Sequence, residues 1–221
     1  MKIDDWEIFK NLSKSCINEF ISLCHCHSLK KKDNLFLENV KVEYIYFLLE
    51  GNVVLYKENF NGKKKIIYMI GQGNFINEPA IDESPSAVSC DLFEDSKFLS
   101  ISIANLQNLF KKYPEFALIF MESMSKKTRR LYRQIKNSSA ISMEKKIAAK
   151  IWKLSHDYGK IEGEWTKITI KVSNILLAEM LGTNRETISR GLQKLKEKEL
   201  ILYKNGFWSV KRESIKLFYR S

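Results

Sequence analysis

No apolar run in the 221 residues reaches the roughly 18 needed to cross a bilayer as a helix. The first residues, Met1-Lys2-Ile3-Asp4-Asp5-Trp6, lack the apolar stretch of a secretory signal, so a cytoplasmic protein without membrane association is expected. Four cysteines (Cys16, Cys24, Cys26 and Cys90) do not make a disulfide scaffold in a chain of this size. Catalytic equipment is sparse as well. There are three histidines, His25, His27 and His156. No paired carboxylates at metal spacing, no Ser/His/Asp set and no phosphate-cradling glycine loop stand out, and Gly71-x-Gly73 reads as an isolated turn. A nucleic-acid enzyme is therefore disfavoured.

What is present is enough to fold. Hydrophobic residues make up 44% and aromatics 12%, sufficient for real cores in one large or two small domains. The net charge of +11 is unevenly distributed. Residues 1–125 hold 14 Lys/Arg against 17 Asp/Glu and carry −3, whereas residues 126–221 hold 23 against 9 and carry +14. That asymmetry points to a polyanionic partner for the C-terminal part.

The texture changes along the chain. Residues 1–28 are helix-compatible. From Leu35 to Ser102, short aromatic and β-branched runs such as Tyr44–Leu49, Val53–Tyr56 and Lys65–Ile70 alternate with turn signals at Glu50-Gly51-Asn52, Asn61-Gly62 and Gly71–Asn74. This predicts a β-barrel or β-roll, with a hairpin at Asn61-Gly62. Phe116, Phe120, Met124, Leu131 and Ile135 then recur at helical steps on a long helix starting near Pro114, with Lys126–Arg130 on the other face. The helix could pack on its own domain or on a twin, and its length favours a homodimer. Asn137–Ala140 reads as the hinge, followed by a helix from Met143 capped by Ser142 and stopped at Gly159.

The C-terminal quarter carries the sharpest pattern. Thr166–Val172 predicts a strand. Ser173 caps a helix over Asn174–Leu181, closed by Gly182, and Thr183 with Glu186 predicts a capping box opening the next helix. Two short helices about a tight glycine turn make a helix-turn-helix. On the second helix Ile188, Leu192 and Leu195 face inward, while Arg185, Glu186, Ser189, Arg190 and Gln193 form a polar face suited to base edges. Thr183 is placed for a phosphate bond. Leu200–Val210, turning at Asn205-Gly206, predicts a hairpin wing with Lys204, Lys211 and Arg212 as phosphate contacts.

The segment Leu177–Arg190, with Arg185-Glu186-Thr187-Ile188-Ser189-Arg190 at its heart, resembles the helix-turn-helix of the CRP/FNR family. Met143–Ala148 and the roll residues Gly51, Gly73 and Glu78 continue the likeness over nearly the whole chain. The resemblance implies an α+β chain of three parts. They are an effector-sensing double-stranded β-helix (a jelly-roll-like β-roll) over 1–112, a dimerisation helix and hinge over 113–138, and a winged helix-turn-helix over 139–221. It further implies a dimeric, DNA-binding transcription regulator rather than an enzyme. Palindromic half-sites would resemble TTGA or TGTGA, and RNA polymerase would be a partner. The implied base readers are Arg185, Glu186, Ser189 and Arg190.

The implied effector pocket comprises Gly73, Phe75, Asn77, Glu78, Ser86 and Ala87. It departs from cyclic-nucleotide binders of the family. Asn77 stands for a glycine, Pro85 stands where an arginine should meet the cyclic phosphate, and Pro79 lacks an N–H. A phosphodiester there would lack its charge partner, so tight cAMP or cGMP binding is not expected and a small-molecule effector, if any, stays unidentified. Cys24-His25-Cys26-His27 with Cys16 and Cys90 raises an alternative, a redox- or metal-responsive regulator. The spacing matches neither a zinc knuckle nor the FNR cluster. Buried thiols and surface imidazoles near a helix end are the simpler expectation, with no resident metal.

Overall fold

The computed structural model describes residues 6–138 and 141–220. The chain folds into two compact units. The first runs to Lys57 and from Ile66 to Tyr132, and the second comprises Glu58–Lys65 and the chain from Arg133.

The first unit begins with a 3-10 turn (Glu7–Phe9) and α1 (Lys14–Ser22), capped by Ser13, whose hydroxyl accepts from the Cys16 N–H. Strands follow as β1 (His25–Leu29), β2 (Asn34–Phe36), β3 (Tyr44–Glu50), β4 (Asn52–Glu58), β5 (Lys64–Gly71), β6 (Phe75–Ile76), β7 (Ser89–Leu92) and β8 (Ser96–Ser102). They form two antiparallel sheets in the orders β1-β8-β3-β6 and β2-β7-β4-β5. α2 (Ile103–Lys112) and α3 (Pro114–Ser138) complete the unit and lead out of it.

Period-2 alternation distributes the apolar residues between two cores. Leu48, Ile76 and Phe98 of the first sheet meet Val53, Tyr68, Ile70, Cys90 and Leu92 of the second in a core between the sheets. Their strand neighbours Ile45, Phe47, Phe75, Leu99 and Ile101 point the other way, into a core shared with α1, α2 and the start of α3. The first sheet is thus covered on both faces, which is why Tyr44–Leu49 reads as a continuous apolar run. Phe9, Phe20, Phe47, Phe75 and Phe116 meet there at centroid distances of 4.8–6.5 Å. At the β4–β5 hairpin, Asn59 Oδ1 accepts from the N–H groups of Asn61 and Lys63, and Gly62 takes φ 69°.

The helix-compatible reading of residues 1–28 fails at its end. α1 stops at Ser22, and His25–Leu29 is an edge strand paired with β8 from His25↔Ser100 to Leu29↔Ser96. Its His-Cys-His-Ser sequence carries no strand propensity. The ladder and the His27 Nε2–Ser100 Oγ bond (2.8 Å) hold it. The expected stripe on α3 is also redrawn. Phe116 and Phe120 are buried in the unit's own core, whereas Leu131 and Ile135 are exposed.

The second unit contains α4 (Met143–Asp157), β9 (Gly159–Glu162), β10 (Trp165–Ile168), α5 (Asn174–Leu181), α6 (Arg185–Glu197), β11 (Ile201–Lys204), β12 (Phe207–Val210) and α7 (Arg212–Arg220). Ser142 caps α4 as expected, accepting from the Lys145 N–H. Of the expected hinge, Asn137 and Ser138 end α3, while Ser139 and Ala140 lie outside the described residues. The strand expected over Thr166–Val172 stops at Ile168. Beyond it the N–H and hydroxyl of Thr169 both donate to the Tyr158 carbonyl at 2.8 Å, one further bond in the β9–β10 register. The sheet order is β11-β12-β10-β9. Strand β9 and helix α7, the latter packed on α4 through buried Ile215, were not foreseen.

Candidate nucleic-acid interface

Two polar side chains and a glycine set the helix-turn-helix. Ser173 Oγ accepts from the Leu176 N–H at 3.1 Å and starts α5. Gly182, at φ 66° and ψ 44°, ends it in the left-handed region where a side chain would be strained. The cap of α6 differs from expectation. Asn184 Oδ1, not Thr183, accepts from the Thr187 N–H at 2.8 Å, so there is no Thr183–Glu186 capping box. Asn reaches the N3 amide as well as a hydroxyl does and begins the helix one residue later.

The two faces of α6 separate as the spacing predicts. Ile188, Leu192 and Leu195 are buried. Gly191 lies on the same side against α4, where a Cβ would come within 2.3 Å of Ile147 Cδ1. Arg185, Glu186, Ser189, Arg190 and Gln193 are exposed and Thr183 is half-buried. Gln193 Nε2 donates to Glu197 Oε1 at 3.1 Å, so its amide is already oriented along the helix.

The wing is present as the β11–β12 hairpin, with Asn205 and Gly206 both at positive φ in the turn and Lys204 exposed on it. Of the other two expected phosphate contacts, Lys211 pairs with Glu164 at 3.4 Å, and Arg212 lies over the Trp152 ring at 5.9 Å. Both therefore serve the domain's own surface.

The sequence reading missed a crevice of about 450 Å³ between α5, α6 and the wing, whose lining includes Ser173, Asn174, Arg185, Ser189, Lys196 and Tyr203. Its floor is fixed by Trp208, whose indole N–H donates to the Val172 carbonyl at 2.9 Å. Lys196 stands at the crevice with its Nζ 5.2 Å from the Trp208 ring, while Lys194 and Lys198 turn to Glu144 of α4 at 3.8 and 3.2 Å. The signal was available, since Ser189, Gln193 and Lys196 share a face at helical spacing.

The expected effector residues do not assemble as one lining. Phe75 is in the aromatic core, Gly73 abuts Trp6, and Ala87 is exposed. Asn77 takes the left-handed conformation (φ 70°, ψ 28°), which asparagine tolerates, and donates to the Tyr44 carbonyl. Ser86 is buried and donates to the Val88 carbonyl at 2.7 Å. Glu78, only 2% exposed, is held entirely by α3. Ser123 Oγ donates to Glu78 Oε1 at 2.8 Å, and Lys127 Nζ reaches both carboxylate oxygens, at 2.6 Å for Oε2, as well as the Phe75 carbonyl. Lys127, expected on the outer face, is thus turned inward. Burial draws its pKa below the ordinary lysine value, with Glu78 pulling against that shift.

The cysteines lie apart in the fold. Cys16 and Cys90 are buried in different cores, Cys24 is half-buried and Cys26 exposed. Burial raises the Cys16 thiol to about 11, aided by Glu115 and Glu19, and the Cys24 thiol to about 12. Among the described residues no group of three or more His, Cys, Asp or Glu is placed to hold a metal ion. Nor is any described helix long and apolar enough to cross a membrane.

Residues 26–113 match the family model of the cyclic nucleotide-binding domain, and residues 145–214 that of the Crp-like helix-turn-helix domain. The cAMP-activated global transcriptional regulator CRP of Pasteurella multocida is 25% identical over 187 residues, spanning 82% of this chain and 88% of that protein. The global nitrogen regulator of a Nostoc species is 22% identical over 177 residues, spanning 79% of each. Among solved structures, the c-di-GMP responsive regulator CLP of Xanthomonas campestris superimposes with a TM-score of 0.78 at 19% identity, covering 90% of this chain and 99% of that one. CooA of Carboxydothermus hydrogenoformans gives 0.79 at 19% identity, covering 96% and 94%.

Proposed function

The chain belongs to the CRP/FNR family of transcription regulators, and from that premise we propose that it acts in the cytoplasm as a homodimer on palindromic duplex DNA. The observation that carries the reading is the exposed row Arg185, Glu186, Ser189 and Arg190 on a helix whose apolar side is buried. Arg185 and Arg190 donate to guanine edges, Glu186 accepts from cytosine, and Ser189 serves either. Thr183, Lys196 and Lys204 bond phosphates on either side, with Gln193 at the far edge of the reading face. The half-sites resemble TTGA or TGTGA, and RNA polymerase is the partner at the promoter.

The dimer rests on α3. Leu118, Met121, Ser125, Thr128, Tyr132 and Ile135 fall at alternating three- and four-residue steps, the spacing of a coiled-coil seam. Leu118 is 59%, Met121 52% and Tyr132 67% exposed, and with Ile135 they line one face of the helix that a second copy would cover. A second copy presents the same face about a two-fold axis.

The cAMP named for the relatives is not carried over. Pro85 leaves a cyclic phosphate without its cation, and Lys127 already occupies the Glu78 carboxylate. The purified protein should retain palindromic duplex at low ionic strength and lose affinity steeply with added salt, as phosphate contacts require. Salt-insensitive or undetectable retention would contradict the assignment.

A further inference from the structure

A carboxylate as buried as that of Glu78 needs compensation for its lost hydration. In a sensor that waits for a ligand, part of that compensation comes from the ligand. Here all of it comes from the chain. Ser123 and Lys127, one turn apart on α3, take the carboxylate between them, and Lys127 adds the Phe75 carbonyl. The tie runs in the other direction too. Tyr68 of β5 donates its hydroxyl to the Lys127 carbonyl, and Arg130 stacks over the Tyr68 ring at 4.8 Å. On the α3 side these links all lie within residues 123–130. The Glu78–Lys127 pair is neutral, so an anionic guest would have to break it to enter.

We propose that Lys127 is a built-in ligand: its ammonium takes the place on Glu78 that a small molecule would hold, fixes the register of α3 against the roll, and makes DNA binding independent of any added effector. The inference rests on the DNA-binding reading above and deepens it by saying how the regulator is poised. Lys127 touches no DNA, so it is a positioning residue. A buried ion pair is well suited to that role, because its geometry is directional where apolar packing tolerates slippage. From Lys127 onward α3 carries Thr128 and Tyr132 of the exposed seam, so its register against the roll bears on how that seam meets a second copy.

The test uses the full-length protein and a duplex that the wild type has itself selected from a randomised pool, read by fluorescence anisotropy. Ligand-free wild type should bind, and excess cAMP or cGMP should change its affinity by less than about twofold, or 0.4 kcal/mol. Lys127→Met should weaken binding by at least about tenfold, or 1.4 kcal/mol, with dimer mass and circular dichroism unchanged. Lys127→Arg, which keeps the cation, should stay near wild type. If Lys127→Met fails to fold, the double variant Glu78→Leu/Lys127→Met removes both buried charges and should fold while still binding weakly. A folded single or double variant with wild-type affinity, or a wild type that binds only with added nucleotide, overturns the inference and leaves the DNA-binding reading standing. A wild type that selects no duplex under any condition overturns both.

Discussion

At the scale of single residues, the proposed function is divided between side chains assigned to DNA and side chains that hold the fold. Arg190 and Lys196 should separate these contributions within the interface itself. Arg190→Ala should cost about 1–3 kcal/mol on the selected site and relax preference at one base pair, whereas Lys196→Ala should weaken all duplexes alike and lower the salt slope by about one. Anisotropy titrations on matched and mismatched duplexes at several salt concentrations distinguish the two. The thiols give a second residue-level expectation. Only exposed Cys26 should react rapidly with a thiol reagent near neutral pH, because Cys16 and Cys90 are buried and the half-buried Cys24 has its thiol held up to about 12. Folded-state values of about 11 and 12 for Cys16 and Cys24 exceed the ordinary thiol value of 9.0, so their contribution to stability is complete below about 9 and is lost as pH rises toward 12. Urea titrations at successive alkaline pH values should trace that decline. The polar row of α6 could be read from spacing alone, because amphipathic helices leave few choices of face. The true cap could not. Thr183 and Asn184 both have capping chemistry, and only the backbone angles select Asn184. The inward turn of Lys127 was hidden for a similar reason. A lysine in the run Lys126–Arg130 looks solvated until the fold brings Glu78 beneath it.

At the scale of elements, α6 and α3 each answer to two neighbours. α6 must approach α4 closely while presenting its outer face. Gly191 permits this, since a Cβ there would meet the buried Ile147. Gly191→Leu should destabilise the fold by about 1–3 kcal/mol through overpacking and lower DNA affinity by displacing the reading face, both measurable by denaturant titration and anisotropy. α3 buries Phe116 and Phe120 in its own unit and leaves Leu118 and Met121 outside. The sequence reading joined buried Phe116 and Phe120 to exposed Leu131 and Ile135 in one stripe because all four recur at helical steps, and it passed over Leu118 and Met121. Leu118→Glu/Met121→Glu should leave the monomer folded, since neither side chain is in the core, but yield monomers by sedimentation and abolish high-affinity binding. The hairpin wing and α5 were legible from turn and cap residues. Strand β1 and helix α7 were not. The first is imposed by the ladder to β8 and the second by a single buried anchor, Ile215.

At the scale of the whole molecule, charge and architecture agree. The acidic part of the sequence folds into a roll whose buried Glu78 carboxylate is met by Lys127, near the start of the basic part, and the rest of that basic part carries the helix-turn-helix and wing. The fold class could be read from the sequence because strand-length runs, a long amphipathic helix and a capped helix pair follow one another without ambiguity of order. The state of the sensor could not, because it depends on which side chain of a distant helix meets Glu78. The measurement that bears most directly on the account is selection of duplexes from a randomised pool by the full-length protein, with Arg190→Ala in parallel. The account predicts enrichment of a two-fold symmetric sequence with half-sites about one helical turn apart, and relaxed preference at one base pair of each half-site in the variant. Enrichment of nothing, of a single asymmetric element, or of a palindrome equally strict at every base pair by both proteins would contradict it.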